Sequence, residues 1–316
     1  VRYGLILDTT RRPYAEILDA AQRAAEEGLD AIWCSQIFDY DALTLLAALA
    51  REVPGIGLGT AVVPVQPRHP VMLAAQALSV QALSDGRLRL GIGLSHQVVV
   101  EGVFGASFDR PVRYLREYLE ILVPLLDGGS VSFQGEVLRA STLGPLEVPG
   151  AGRPPLLLAA LGPRMVELAG SRADGTVTWM TGAGALASRI TPALARAAAA
   201  AGRPRPQVVV GLPVCVTTDV AAARETAGRV FAIYGHLPSY RRVLDEEGAA
   251  GPGDVALVGD EEAVSAALER FAEAGATHFA AAPYGSAEER GRTLALLGAL
   301  ARAGARKDLR QTSGQG

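Results

Sequence analysis

The feature that most constrains this chain is an alternation repeated eight times: a short run rich in Val, Ile, Leu and Ala, then a longer stretch with amphipathic spacing. Aliphatic runs of about four to eight residues between turn residues read as strands, and longer segments with apolar positions three and four apart read as helices. Strands are expected at Tyr3–Asp8, Ala31–Ser35, Ile56–Val63, Leu88–Gly93, Pro155–Ala160, Gly175–Trp179, Val208–Val216 and His278–Ala282. Helices are expected at Tyr14–Glu27, Asp41–Arg51, Val71–Leu83, Pro111–Leu126, Met165–Ser171, Ala185–Ala200, Asp219–Tyr234, Glu261–Ala274 and Ala287–Ala303. A hairpin at Val131–Leu138 and a Gly/Pro-punctuated segment at Gly235–Val258 read as insertions after the fourth and seventh strands. Eight strands alternating with helices favour an α/β fold closed as a (β/α)8 TIM barrel over an open dinucleotide-binding sheet. One barrel domain is expected over 1–306, with a polar, disordered tail at 307–316.

Composition narrows the partners. Hydrophobic residues make up 49% of the 316, enough for a large core without disulfides or a structural metal. The formal net charge of -3 comes without a basic block, so neither nucleic acid nor an acidic membrane surface is expected as a partner, and a small-molecule substrate is. Cys34 and Cys215 lie in apolar runs and read as buried thiols, which with the absence of a basic leader suggests a cytoplasmic protein. There is no His-x-His or Cys-x-x-Cys, so no metal site is expected, and a metal-dependent hydrolase on the same barrel is disfavoured. The pair Gly91-x-Gly93 lacks the third glycine and the acidic residue of a dinucleotide fingerprint.

Barrel enzymes work at the carboxyl ends of their strands, so the candidates are residues at those ends. His96 follows the Gly93 turn and, titrating near neutral pH, is a candidate proton donor; a structural histidine is the competing reading. Gly162 opens a helix, where exposed N–H groups suit an anion, and Arg164 adds a cation; a plain strand-to-helix turn is the alternative. Trp179 and Thr181 follow the sixth strand as an aromatic and a hydroxyl facing the same opening, or as core.

Several ordered motifs then point to a family. Leu58-Gly59-Thr60-Ala61-Val62, Arg68-His69-Pro70, Gly86-Arg87, Gly91-Ile92-Gly93, Ala160-Leu161-Gly162-Pro163-Arg164-Met165 and Ala173-Asp174-Gly175-Thr176-Val177-Thr178-Trp179 together resemble the luciferase-like superfamily, across Tyr3 to about Leu300. Gly93-Leu94-Ser95-His96-Gln97 and Leu237-Pro238-Ser239-Tyr240 are most similar to its F420-dependent oxidoreductases. The resemblance implies F420 as cofactor, with FMN as the alternative, and a non-prolyl cis peptide at Ala61–Val62 supporting the ring. It implies cofactor contacts from Gln36, Ala61, Val62, His96, Ala160, Leu161, Gly162, Arg164, Met165, Trp179 and Thr181, and assembly as a homodimer. Many deazaflavin-dependent members carry an acid and a histidine where Gln36-Ile37 stand here, so Gln36 can hydrogen-bond a ring edge but cannot act as a general acid.

The expected reaction is hydride transfer between reduced deazaflavin and an activated C=C or C=N bond of a small organic or peptide-derived substrate, with His96 and Gln36 nearest the chemistry. An FMN-dependent monooxygenase and a non-catalytic deazaflavin-binding protein are the alternatives.

Overall fold

The structure is a computed structural model that describes the backbone of residues 1–313 and the side-chain surroundings of residues 1–306. The expected tail, 307–316, lies outside the residues whose side chains are described; the last helix is Ala287–Ser313.

All eight expected strands form. They are Arg2–Ile6, Ala31–Cys34, Gly57–Thr60, Leu88–Gly93, Leu156–Ala159, Gly175–Trp179, Gln207–Val216 and His278–Pro283. Each pairs in parallel with its sequence neighbours, and the eighth returns to the first through Arg2 opposite His278, closing the barrel. The helices lie outside, and several begin where a side chain satisfies a free N–H: Asp41 accepts from Thr44, Asp219 from Ala222 and Asp260 from Ala263. Alternation then sorts side chains into the barrel or out toward the helices.

The centre of the barrel is filled by Trp33, which packs with Ala31, Leu157, Val177, Val209 and Ala280. Its indole is admitted by two glycines on the flanking strands. A Cβ at Gly59 would come within 2.2 Å of the ring and one at Gly4 within 2.8 Å of Nε1. This plug separates the two ends of the barrel and gives the carboxyl end a floor.

The first insertion is a short antiparallel hairpin, Ser132–Gln134 with Arg139–Ser141, as expected around Gly135. It is tied down by Glu117 of the helix Pro111–Leu126, whose buried carboxylate accepts from the N–H groups of Glu136 at 3.1 Å, Val137 at 2.9 Å and Leu138 at 2.9 Å.

Three departures from the sequence reading bear on the site. The inserted segment Gly235–Val258, for which no element was expected, carries the helices Pro238–Glu246 and Pro252–Val255 and leads into a short strand, Leu257–Gly259. Pro238 starts the first of these, and only Val243 and Leu244 are buried on an otherwise polar sequence, so its apolar periodicity is weak. A six-residue helix, Gln97–Gly102, follows the fourth strand, where three consecutive valines disguise it. The expected helix Ala185–Ala200 is broken into Ala183–Ala185, a π-helical turn Leu186–Ile190, and Thr191–Ala200. Pro192 lacks an N–H and its ring crowds the carbonyl four residues back, which disfavours a continuous α-helix there.

Candidate functional site

The third strand does not run straight out of the barrel. Leu58 and Gly59 lie opposite Leu88 and Arg89, whereas Val63 and Pro64 lie opposite Ile92 and Gly93, so one extra residue is accommodated between them as a bulge. The Ala61–Val62 peptide in this bulge is cis, as the family resemblance implies. Its carbonyls are held from the second strand: Ser35 Oγ donates to the Ala61 oxygen at 2.8 Å, and the Gln36 N–H donates to the Val62 oxygen at 3.2 Å. Thr60 replaces the lost ladder bonds, its hydroxyl donating to Gly91 O at 2.6 Å and accepting from Gly91 N–H at 2.8 Å. Gly91 and Gly93 are required here, because a Cβ on either would meet Thr60 O at 2.0 Å or Val62 at 2.9 Å. Val62 and Ala61 thereby pack on the inner cluster around Trp33, and with Gly93 and Ala159 they form an apolar floor of small side chains at the barrel mouth.

Above this floor runs a chain of aromatic contacts contributed by separate elements. His96 meets Tyr240 at 5.5 Å between ring centroids, Tyr240 meets Tyr234 at 5.1 Å, and Tyr234 meets Trp179 at 5.7 Å. Trp179 then meets Phe231 at 5.9 Å, and Phe231 meets Tyr284 at 5.9 Å. The pairs after the first are edge-on, the arrangement ring quadrupoles favour. Trp179 Nε1 is buried and makes no hydrogen bond of acceptable geometry. The end of the helix Val220–Val230, the turn Ala232–Gly235 and the insertion that follows therefore together cover the mouth from the loop of strand four to the end of strand eight.

Beside this ladder, Leu161 and Gly162 with Pro238, Ser239 and Arg242 line a cleft of about 190 Å³. Gly162 is the N-cap of the helix Pro163–Arg172, and no side chain satisfies its free N–H groups. The insertion is fastened over the cleft by Arg189 from the π-helical turn, which donates to Leu161 O at 2.6 Å and to Glu246 at 2.6 Å. Next to it, Glu247 accepts from Ala185 N–H at 2.5 Å.

The expected site residues divide. His96, Ala61, Val62, Leu161, Gly162 and Trp179 are gathered at the mouth. Gln36 is largely committed to the scaffold: its oxygen accepts from Ala42 N–H at 2.8 Å and Arg68 at 3.2 Å, and its amide donates to Tyr40 O at 3.3 Å. Arg68, which also pairs with Asp41, takes up the acceptor capacity that was expected to face a ring. Burial would raise the Asp41 carboxyl, but the Thr44 donors and then Arg68 outweigh it and hold it below the usual range.

Ala160 is also corrected. Leu157 and Ala159 pair with Gly175 and Val177 and share the inner face, so Ala160 points outward into the helix layer and is buried there. Thr181 is fully buried, with its hydroxyl donating to Trp179 O at 3.3 Å. Met165 is half-buried against the core, and Arg164 is exposed on the first turn after Gly162. His96 does not titrate where an ordinary imidazole does: burial lowers its pKa, so it is neutral at pH 7. Phe231 and Tyr234 were missed as site residues because they read as part of the expected helix Asp219–Tyr234, and Tyr240, although part of the Leu237-Pro238-Ser239-Tyr240 motif, was not singled out as a site residue.

Among the described residues no group of three or more His, Cys, Asp or Glu side chains is placed to hold a metal ion, and no helix is long and apolar enough to cross a membrane.

Comparison with known proteins follows the same lines. The model of the luciferase-like monooxygenase family matches residues 3–278. A putative coenzyme F420-dependent oxidoreductase of Mycobacterium tuberculosis is 30% identical over 236 residues, covering 70% of this chain and 67% of the relative. An F420-dependent glucose-6-phosphate dehydrogenase of Nocardia farcinica is 29% identical over 227 residues, covering 66% and 67%. The structure of the coenzyme F420-dependent tetrahydromethanopterin reductase from Methanopyrus kandleri superposes with a TM-score of 0.79 at 20% identity, covering 94% of this chain and 97% of that one.

Proposed function

The chain belongs to the luciferase-like monooxygenase family, and on that footing we propose that it is a coenzyme F420-dependent oxidoreductase acting on an activated C=C or C=N bond of a small organic substrate. The observation that carries the reading is the cleft at Gly162. Its one charged lining residue is Arg242, it has no carboxylate, and Arg164 stands exposed on the same helix turn. Free N–H groups at a helix start and unpaired guanidinium groups are the donor set for the phosphate-bearing tail of such a cofactor. The floor of Ala61, Val62, Gly93 and Ala159 offers a flat apolar seat for the ring.

The bound deazaflavin would supply the hydride. The chain's own part is positioning, exclusion of water by the aromatic insertion, and proton handling at His96. Neutral at pH 7, His96 accepts a proton in the oxidative direction and, once protonated, returns it in the reductive direction. Assembly as a homodimer belongs to the same proposal and is read by light scattering of the eluted protein.

The test is a side-by-side titration of the purified protein with F420 and FMN, followed by steady-state reoxidation of each reduced form. Saturable F420 binding with turnover supports the reading. Tight FMN binding with none for F420 moves the chain to an FMN-dependent monooxygenase, and bound reduced F420 that no electrophile reoxidises makes it a deazaflavin carrier.

A further inference from the structure

On the reading that hydride transfer occurs at this mouth, we infer that the substrate is an uncharged, largely apolar and planar molecule held between the loops after strands two and four and the aromatic insertion. Two independent observations support this.

The first is the distribution of exposed apolar side chains. Ile37 and Phe38 on the loop after the second strand, Val98 and Val103 after the fourth, and Ile233 in the turn Ala232–Gly235 that leads into the insertion are each between 48% and 67% exposed. These three segments all lie at the carboxyl end of the barrel, and the His96–Tyr240 contact joins the last two. Single exposed apolar residues are ordinary, but several on converging loops around a site mark a surface that an apolar ligand covers. Inside the rim, the walls are the rings of His96, Tyr240, Tyr234 and Trp179, which favour a flat partner.

The second is the state of the cations. Among the described residues on the loops after strands one to four, Arg12 pairs with Asp8 and Glu16, Arg68 with Asp41, and Arg110 with Glu136. His96 is kept neutral by burial, and His69 spends Nδ1 accepting from Val71 N–H. Arg11, exposed in a left-handed turn, has no ion-pair partner. Among the described residues at the carboxyl end of the later strands, Arg242 lines the Gly162 cleft and Arg164 stands on the first turn after it, neither in an ion pair, while Arg290 after strand eight is held on Gly285 O. An anionic substrate seated between the apolar loops would lose water without gaining a counter-charge there, which burial penalises heavily. The substrate gains a hydride, and with it two electrons, from the reduced deazaflavin and a proton from protonated His96, while one proton lost from the oxidised deazaflavin re-protonates the site through solvent.

The test compares matched planar ligands on the F420-loaded protein: benzylideneacetone, neutral, against cinnamate, its carboxylate counterpart, and glucose 6-phosphate, read by the fluorescence of the bound cofactor. The neutral ligand should bind at least tenfold more tightly than either anion. Phe38→Asp and Val98→Asp, at exposed positions where folding is not at stake, should each weaken benzylideneacetone several-fold while leaving F420 affinity unchanged. Equal or tighter binding of either anion overturns the inference, most directly if Arg11→Gln abolishes it, and so does indifference of benzylideneacetone to both aspartates. If F420 itself does not bind, the cofactor reading fails alone, because the same three ligands can be ranked by thermal shift on the unloaded protein.

Discussion

The ring of His96 lies 5.5 Å from that of Tyr240 and is inclined to it by 59°, which places this histidine beneath the insertion that covers the mouth. Because burial lowers its pKa, the imidazolium is the minority form at pH 7. Reduction, which consumes a proton, should slow as pH rises through that lowered value, whereas oxidation should rise through it and level off above. His96→Ala should remove this limb from both profiles and lower kcat about 100-fold with little change in F420 affinity. A pH profile that is the same in the variant would assign the proton to another donor.

Tyr240 contributes a ring to two contacts, on His96 and Tyr234, and burial keeps its hydroxyl protonated. Tyr240→Phe should therefore be nearly neutral for cofactor binding, while Tyr240→Ala opens the cover. Loss of that cover rehydrates His96 and should move its pKa up toward the ordinary imidazole range, a shift NMR titration of the ring protons would follow. An unmoved value in Tyr240→Ala would show that other groups desolvate the histidine.

The barrel was legible because its signal is repeated eight times and each repeat carries the same alternation; even the hairpin after strand four showed in the spacing around Gly135. At the candidate site the cis peptide at Ala61–Val62 was expected from the family resemblance and not from local sequence, whereas the helix start at Gly162 showed in its strand-to-helix turn. The site was not legible where side chains choose between partners. Gln36 turns to Ala42 and Arg68 because Asp41 begins a helix and brings Arg68 within reach, a tertiary competition that local sequence does not encode. Ala160 was misplaced by one residue, enough to send a side chain to the other face of the strand. Of the aromatic cover, Phe231 and Tyr234 lay at the end of an expected helix, and Tyr240 in a helix held by two buried residues, too few for a periodicity.

Gly91 stands where a Cβ would fall 2.0 Å from the carbonyl oxygen of Thr60, a backbone atom that cannot swing aside. Gly91→Ala should break the Thr60 bonds that bridge the bulge and cost about 3 kcal/mol or more, at or above the usual range for overpacking. Chemical denaturation would read it. A loss below about 1 kcal/mol would mean that the bulge relaxes.

Arg189 is the fastening between the insertion and the strand-five end, reaching both Leu161 O and Glu246. Arg189→Gln should raise the rate of cofactor release about tenfold while changing its rate of binding less, since a partly buried contact of this type acts mainly on dissociation. Arg189→Lys keeps the charge but not the fork, and should fall between. Stopped-flow displacement of F420 distinguishes these, and identical release from all three proteins would show that the insertion is held by its aromatic contacts alone.

Glu117 gives a stability prediction with a definite sign. Burial alone would raise its carboxyl, but the N–H groups of Val137, Leu138 and Glu136, and Arg113 at 3.9 Å, hold it below the ordinary range. A folded-state value below the unfolded one stabilises the protein above the unfolded pKa, and that stabilisation is lost as pH falls through the folded value. Glu117→Ala leaves three hairpin N–H groups without acceptors and should cost about 2 to 3 kcal/mol at pH 7. Glu117→Gln keeps an acceptor oxygen and should cost about 1 kcal/mol, a deficit that shrinks in acid because the wild-type carboxyl is then neutral as well. Urea unfolding of the three proteins at pH 7 and in mild acid reads both effects. A Gln deficit that stays constant with pH would show that the hairpin responds to the shape of the side chain and not to its charge.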